Sequence, residues 1–154
     1  MIKILFICHG NICRSPMAEF VMKDLVKKAH LEDEFIINSM ATSREEIGCD
    51  IHYGTKEKLR QMNISFSKRK ARQITKADYD MYDYVIVMDN MNLRNLDYII
   101  GEDTQHKVFK MLSFVDETRD VKDPWYTGNF DETFDDIDKS CRALLNHLIA
   151  TYNL

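Results

Sequence analysis

What most constrains this chain is a junction near its start. Ile2 to Ile7 is an almost unbroken apolar run that passes without a spacer into Cys8-His9-Gly10-Asn11-Ile12-Cys13-Arg14-Ser15, then into Pro16 and a helical pattern. Short continuous apolar runs are what strands buried on both faces look like. A strand that feeds a helix through a short loop aims the helix's free backbone N–H groups at one point, where the aligned peptide dipoles place about half a positive elementary charge. Such a start implies a parallel α/β sheet with an anion site at the strand's carboxyl end.

The rest of the chain repeats the alternation. Ala18, Val21, Met22, Leu25, Val26 and Ala29 fall at helical spacing, and Phe35 to Ile37 reads as a second strand. Tyr53 to Met62 reads as a helix, Tyr84 to Met88 as a buried strand and Val108 to Leu112 as a weaker one. Phe130, Phe134, Ile137, Cys141, Leu144, Leu145 and Leu148 make one apolar face of a closing helix. Strands alternating with helices predict an α/β fold: a doubly wound domain whose central parallel sheet, about four-stranded, is flanked by helices and joined by right-handed crossovers. With 154 residues and no repeats, low-complexity tracts or Pro/Gly-rich linkers, the expectation is a single domain over 1–154.

Composition narrows the function classes. A formal charge of −4 argues against general nucleic-acid binding while leaving room for a local positive pocket. No apolar run approaches the ~20 residues needed to cross a bilayer, so no membrane partner is expected. Met1-Ile2-Lys3 does not begin a signal peptide, and the expectation is a cytoplasmic protein. Cysteines 8, 13, 49 and 141 do not form a disulfide framework for a chain of this size. Neither they nor the five histidines show metal-ligand spacing, so no metal or other cofactor is expected.

The residue types in the junction point to one chemistry. A free thiol titrates near ~8.5, and helix N-termini with cationic neighbours bring such thiols to roughly 3.5–7.5. A thiolate at Cys8 can attack phosphorus directly, and Arg14 offers a planar fork that grips two phosphate oxygens. Gly10 lets the backbone approach a ligand closely, and Asn11 suits a tight loop that visits left-handed conformations. Ser15 is expected as helix N-cap and hydroxyl donor to Cys8, with Pro16 at the first helical position.

The pattern C-x-G-N-I-C-R-S-P resembles that of the low-molecular-weight protein tyrosine phosphatases. Ala41-Thr42-Ser43 with Gly48, Lys70-Ala71-Arg72-Gln73-Ile74-Thr75, Met88-Asp89 with Asn92-Leu93, and Asp123-Pro124-Trp125-Tyr126 follow in the family's order, so the likeness covers nearly the whole chain. The resemblance implies a flavodoxin-like, phosphotyrosine phosphatase I-like fold. It implies hydrolysis of phosphotyrosine in proteins through a phosphocysteine at Cys8, with Arg14 and the loop residues His9, Gly10, Asn11, Ile12, Cys13 and Ser15 binding phosphate. Asp123 would be the general acid and base. Trp125, Tyr126 and Glu45 would wall the substrate, the aromatic pair having loop anchoring as its other reading. Cys13 would be a redox partner for Cys8 or simply a packed thiol. A monomer or weak homodimer is implied as well.

Five residues depart from the family's pattern. Arg69 stands where a histidine is common, Asn38 where an aspartate is, Met40 where a small residue is, and Arg44-Glu45 where an aromatic often borders the pocket. Lys68-Arg69-Lys70 with Arg72 reads as a solvated basic face or as a surface that steers acidic phosphopeptides. Cys141 is expected in the core, and Cys49 has no assigned role. Other readings of the scaffold fare less well. Arsenate reduction needs relay cysteines that residues 76 to 100 lack, and phosphoarginine hydrolysis resembles a loop with threonine where Ile12 stands. A sugar-phosphotransferase carrier lacks the closing arginine. A non-catalytic phosphopeptide-binding module has no need of both Cys8 and Asp123.

Overall fold

The computed structural model describes residues 1–154. Four strands, β1 (Ile2–Cys8), β2 (Phe35–Ala41), β3 (Tyr84–Val87) and β4 (Val108–Lys110), form one sheet in the order β2-β1-β3-β4. Every pairing is parallel. Six helices accompany them: α1 (Arg14–Lys28), α2 (Tyr53–Gln61), α3 (Lys76–Met81), α4 (Asn90–Ile100), the single turn α5 (Pro124–Thr127) and α6 (Phe130–Tyr152).

The apolar run of β1, broken only at Lys3 near its start, is explained by its central place. Ile4, Phe6 and Cys8 point to one side, into a core shared with Met17 and Val21 of α1 and Ile137, Cys141 and Leu144 of α6. Leu5 and Ile7 point to the other, joining Tyr79 of α3 and Leu96 and Ile100 of α4. Strand side chains alternate faces, so a strand covered twice must be apolar at every step. β3 divides in the same way, Ile86 to the first core and Val85 and Val87 to the second. Since β1 has β2 on one side and β3 on the other, the sheet's winding reverses at its carboxyl end. Ligands in open α/β sheets bind at such a switch point, and Cys8 is the last residue of β1.

Several expectations are corrected. β2 runs to Ala41 rather than stopping at Ile37, because the polar interruption at Asn38 and Ser39 is satisfied: Asn38 Nδ2 donates to Tyr82 Oη at 2.8 Å and Ser39 Oγ to Glu19 Oε1 at 2.6 Å. The strand expected over 108–112 ends at Lys110, and Met111–Val115 continues as a 3-10 turn. α3, only six residues long, and α4, whose Leu96 and Ile100 enter the second core with Leu93 and Ile99 against it, have no counterpart in the sequence reading; each opens on a capping box, Thr75 with Asp78 and Asp89 with Asn92. Ser15 is not the N-cap of α1. The helix begins at Arg14 with Cys13 at the cap position, so Ser15 and Pro16 are its second and third residues. No helix is long and apolar enough to cross a membrane, and no three His, Cys, Asp or Glu side chains gather as a metal site.

Candidate active site

Residues 9–13 wrap the end of β1 into a loop locked by Asn11, whose backbone is left-handed (φ 57°). Its Oδ1 accepts from Arg72 N at 3.4 Å, which fixes the amide's orientation and leaves Nδ2 donating to Ser15 Oγ at 2.8 Å and Ser39 Oγ at 2.9 Å. Because Ser15 already accepts from Asn11, its own proton is free for Cys8 Sγ, 3.0 Å away. The Ser15 backbone N–H lies 3.4 Å from the same sulfur. A chain of hydrogen bonds with one consistent direction therefore ends on Cys8, supplied by the first turn of α1.

Arg14 is almost wholly buried, yet it carries its charge among acceptors. Nη1 donates to Asp89 Oδ2 at 2.7 Å and to the Val121 carbonyl at 2.8 Å, and Nη2 faces Asp123 Oδ2 at 3.5 Å. Burial works against the cation, but Cys8, Asp89 and Asp123 outweigh it and raise the guanidinium above its ordinary value. Asp89 is the N-cap of α4, so the helix end fixes the carboxylate that in turn fixes Arg14.

Asp123 reaches this cluster across more than a hundred residues because its loop is tied down. Val121 N donates to the Met88 carbonyl at 2.9 Å, just past β3, and Thr133 Oγ1 of α6 donates to the Lys122 carbonyl at 2.9 Å. Asp123 then caps α5, accepting from Trp125 N at 3.0 Å. Together Cys8, Arg14, Asp123, Trp125, Tyr126, Glu45 and the loop residues His9, Gly10, Ile12 and Cys13 line one pocket of about 100 Å³, with Glu46 added. Asn11 and Ser15 support that pocket from behind. Trp125 is half exposed and Tyr126 largely so.

Cys13 is buried, and its thiol is pushed up to about 12, by burial first and then by the charges of Cys8 and Asp123, with Arg14 opposing. Cys141 is in the core, as its helical face predicts, and Cys49 is exposed. The basic cluster divides. Lys68 and Lys70 are exposed, Arg72 pairs with Asp78 at 2.8 Å, and Arg69 turns inward. Its Nη2 donates to the Asn11 carbonyl and its Nη1 to the Cys49 carbonyl at 3.1 Å, so the cluster is not simply a solvated face. Burial lowers the Arg69 pKa, with nearby anions opposing.

Five residues at or near the site have no role in the reading of the sequence: Ser39, Glu46, His52 and Asp89, and Arg69 as a loop clamp. The His52 backbone N–H donates to the Ile12 carbonyl at 2.9 Å, and its ring stacks on Phe130 at 5.6 Å and meets the edge of Trp125 at 5.5 Å. Only Asp89, through the capping spacing Asp-x-x-Asn, leaves a local signal.

The site can hold a tetrahedral anion against the Cys8 sulfur, with an arginine fork beside it and the Asp123 carboxyl at its mouth. Known proteins with this architecture agree. The family model for low molecular weight phosphotyrosine protein phosphatases matches residues 3–153. The low molecular weight protein-tyrosine-phosphatase YfkJ of Bacillus subtilis is 42% identical over 147 residues, 94% of each chain. The corresponding PtpA of Staphylococcus epidermidis is 36% identical over 155 residues, covering 100% of this chain and 98% of that one. The crystal structure of Bacillus subtilis YfkJ superposes with a TM-score of 0.94 at 40% identity, covering 100% of this chain and 98% of that one. The chain belongs to the low-molecular-weight phosphotyrosine protein phosphatase family.

Proposed function

We propose that this phosphatase hydrolyses phosphotyrosine in protein substrates by two in-line displacements at Cys8. In the first, the Cys8 thiolate forms a bond to phosphorus as the bond to the tyrosine oxygen breaks, and Asp123 gives its proton to the departing phenolate. In the second, Asp123 takes a proton from water as that water attacks phosphorus, releasing inorganic phosphate and restoring the thiolate. Arg14 and the backbone N–H groups of residues 9–15 hold the equatorial oxygens, where the transition state spreads its charge. Ser15 stabilises the sulfur as nucleophile and leaving group. Trp125 and Tyr126 receive the phenyl ring, and no metal or other cofactor is required.

One observation carries this reading: Cys8, the Arg14 fork and Asp123 meet at one pocket although they come from the end of β1, the start of α1 and the loop before α5. Cys13 as a redox partner has weaker support, since a thiol held protonated attacks an oxidised Cys8 slowly. We also take residues 1–154 to act as one domain, cytoplasmic, monomeric or weakly dimeric, and without affinity for nucleic acid or membrane.

The experiment is a comparison of phosphotyrosine, phosphoserine and phosphoarginine peptides in the presence of a chelator, with a series of aryl phosphates alongside. Phosphotyrosine and aryl phosphates should be hydrolysed and the other two spared. Asp123→Asn should lower turnover by about 100-fold or more for poor leaving groups and far less for good ones, because protonation matters most when the leaving anion is unstable. Equal losses across the series would remove Asp123 from the acid role, and phosphoarginine turnover above phosphotyrosine would change the substrate class.

A further inference from the structure

The chemistry at Cys8 uses none of the charge on the pocket rim. That rim is built on residues 42–48, a segment pinned from both sides: Thr42 N donates to the Cys8 carbonyl at 3.0 Å, Ser43 N to the His9 carbonyl at 3.0 Å and Gly48 N to the Ala71 carbonyl at 2.9 Å. Two carboxylates of this segment line the pocket. Glu45 is exposed and held by His9, with Oε2 and Nε2 2.8 Å apart. Glu46 lies over the phosphate loop, its Cγ only 3.3 Å from where a Cβ on Gly10 would be. The segment's one cation, Arg44, bonds Gln73 Oε1 at 3.1 Å and does not line the pocket.

Apart from the His9 ring that holds Glu45, nothing at the mouth pairs with those carboxylates. Trp125 and Tyr126 bring aromatic area without charge, and Arg14 is buried beneath them between Asp89 and Asp123. Lys68, Lys70 and Arg72, which the sequence offers as a surface for acidic phosphopeptides, are not part of the lining. The pocket is cationic at its phosphate-binding loop and anionic around its rim.

We propose that the enzyme selects phosphotyrosines flanked by lysine or arginine, and that Glu45 and Glu46 read the flank. This rests on the pocket being the phosphotyrosine site. A basic side chain beside the phosphotyrosine would pair with Glu45, already held by His9, or with Glu46 beside it, whereas an acidic one would meet two carboxylates and no exposed lysine or arginine in the lining. Exposed pairs each change an equilibrium by about 1.5- to 5-fold, so two of them together with the lost repulsion give a preference of about tenfold. The interaction is made before the reacting centre changes and persists through it, so it acts on KM rather than kcat.

The test is steady-state kinetics of the full chain on three phosphotyrosine peptides of equal length, flanked by Lys, Ala or Glu. The readout is the ratio of kcat/KM between Lys- and Glu-flanked peptides within each protein, so that any general loss of activity in a variant cancels. We expect a ratio of about ten at about 20 mM salt, falling below about two at about 500 mM, where screening reaches a few ångströms. Glu45→Gln with Glu46→Gln should flatten the ratio, and Glu45→Lys with Glu46→Lys should invert it. A wild-type ratio near one, a preference for Glu flanks, or a full preference retained by the double glutamine variant would overturn the proposal. Failure to hydrolyse any of the three peptides would instead overturn the assignment of the pocket itself.

Discussion

Asn11 keeps its left-handed backbone by engaging every polar group around it: Arg72 holds its Oδ1, Ser15 and Ser39 take its Nδ2, and the Arg69 guanidinium clamps its carbonyl. A non-glycine residue in that conformation costs about 1–2 kcal/mol, and these bonds offset it. Arg69→Ala would leave a carbonyl at the centre of the loop without its partner and let the backbone N–H groups drift from the phosphate. Displacements of this order are costly to rate, so we predict kcat/KM about 10- to 100-fold lower with the fold intact by circular dichroism. Activity within twofold of wild type would show that the clamp is idle. Cys8, Gly10, Asn11, Arg14 and Ser15 were legible because they are contiguous and each has a chemical reason to be there. Arg69 and Asp89 were not, since they act across 58 and 75 residues of sequence and no periodicity marks a contact of that span.

Among the elements, long apolar faces made the strands and the longest helices readable, and α3, α4 and α5 were missed. β1, α1 and α6 announce themselves through burial, while α3 spans less than two turns and α4 sets its apolar Leu93, Leu96 and Ile100 among Asn90, Asn92 and Asn95; both open on capping boxes, Thr75-x-x-Asp78 and Asp89-x-x-Asn92. α2 shows how an element supports the site from a distance. His52 caps it by accepting from Gly54 N at 3.0 Å, and the Phe130 ring lies against Gly54 so closely that a Cβ there would fall 2.3 Å from it. Phe130 stacks on His52, which meets Trp125, so the glycine sets the position of an aromatic wall. Alanine favours a helix over glycine by about 1 kcal/mol, but overpacking costs about 1–3. We predict that Gly54→Ala lowers unfolding free energy by about 1 kcal/mol in urea and raises KM for aryl phosphates. A more stable Gly54→Ala protein would contradict the packing described.

For the molecule as a whole, the parallel sheet with β1 at its centre accounts for both cores and for the position of Cys8, the proposed nucleophile. The alternation of apolar runs made that architecture readable, and with it the expectation that Cys8 lies at a binding edge. It did not bring Asp123 there. Only the family pattern implied its place, and the physical reason is now visible: the loop is held by the Met88 carbonyl, Arg14 and Thr133, three contacts that no local rule anticipates. The specificity rim is also a property of the whole fold, because the carboxylates of residues 45 and 46 gain meaning only where the chain folds them over the loop. The central claim is that phosphate passes through Cys8. The most direct measurement is rapid acid quench of the enzyme turning over a radiolabelled aryl phosphate, followed by mapping of the labelled peptide. Label is expected on the segment containing Cys8, none in Cys8→Ser, and a longer-lived adduct in Asp123→Asn, whose water lacks a base. Steady turnover with no labelled protein, or an active Cys8→Ser enzyme, would contradict it.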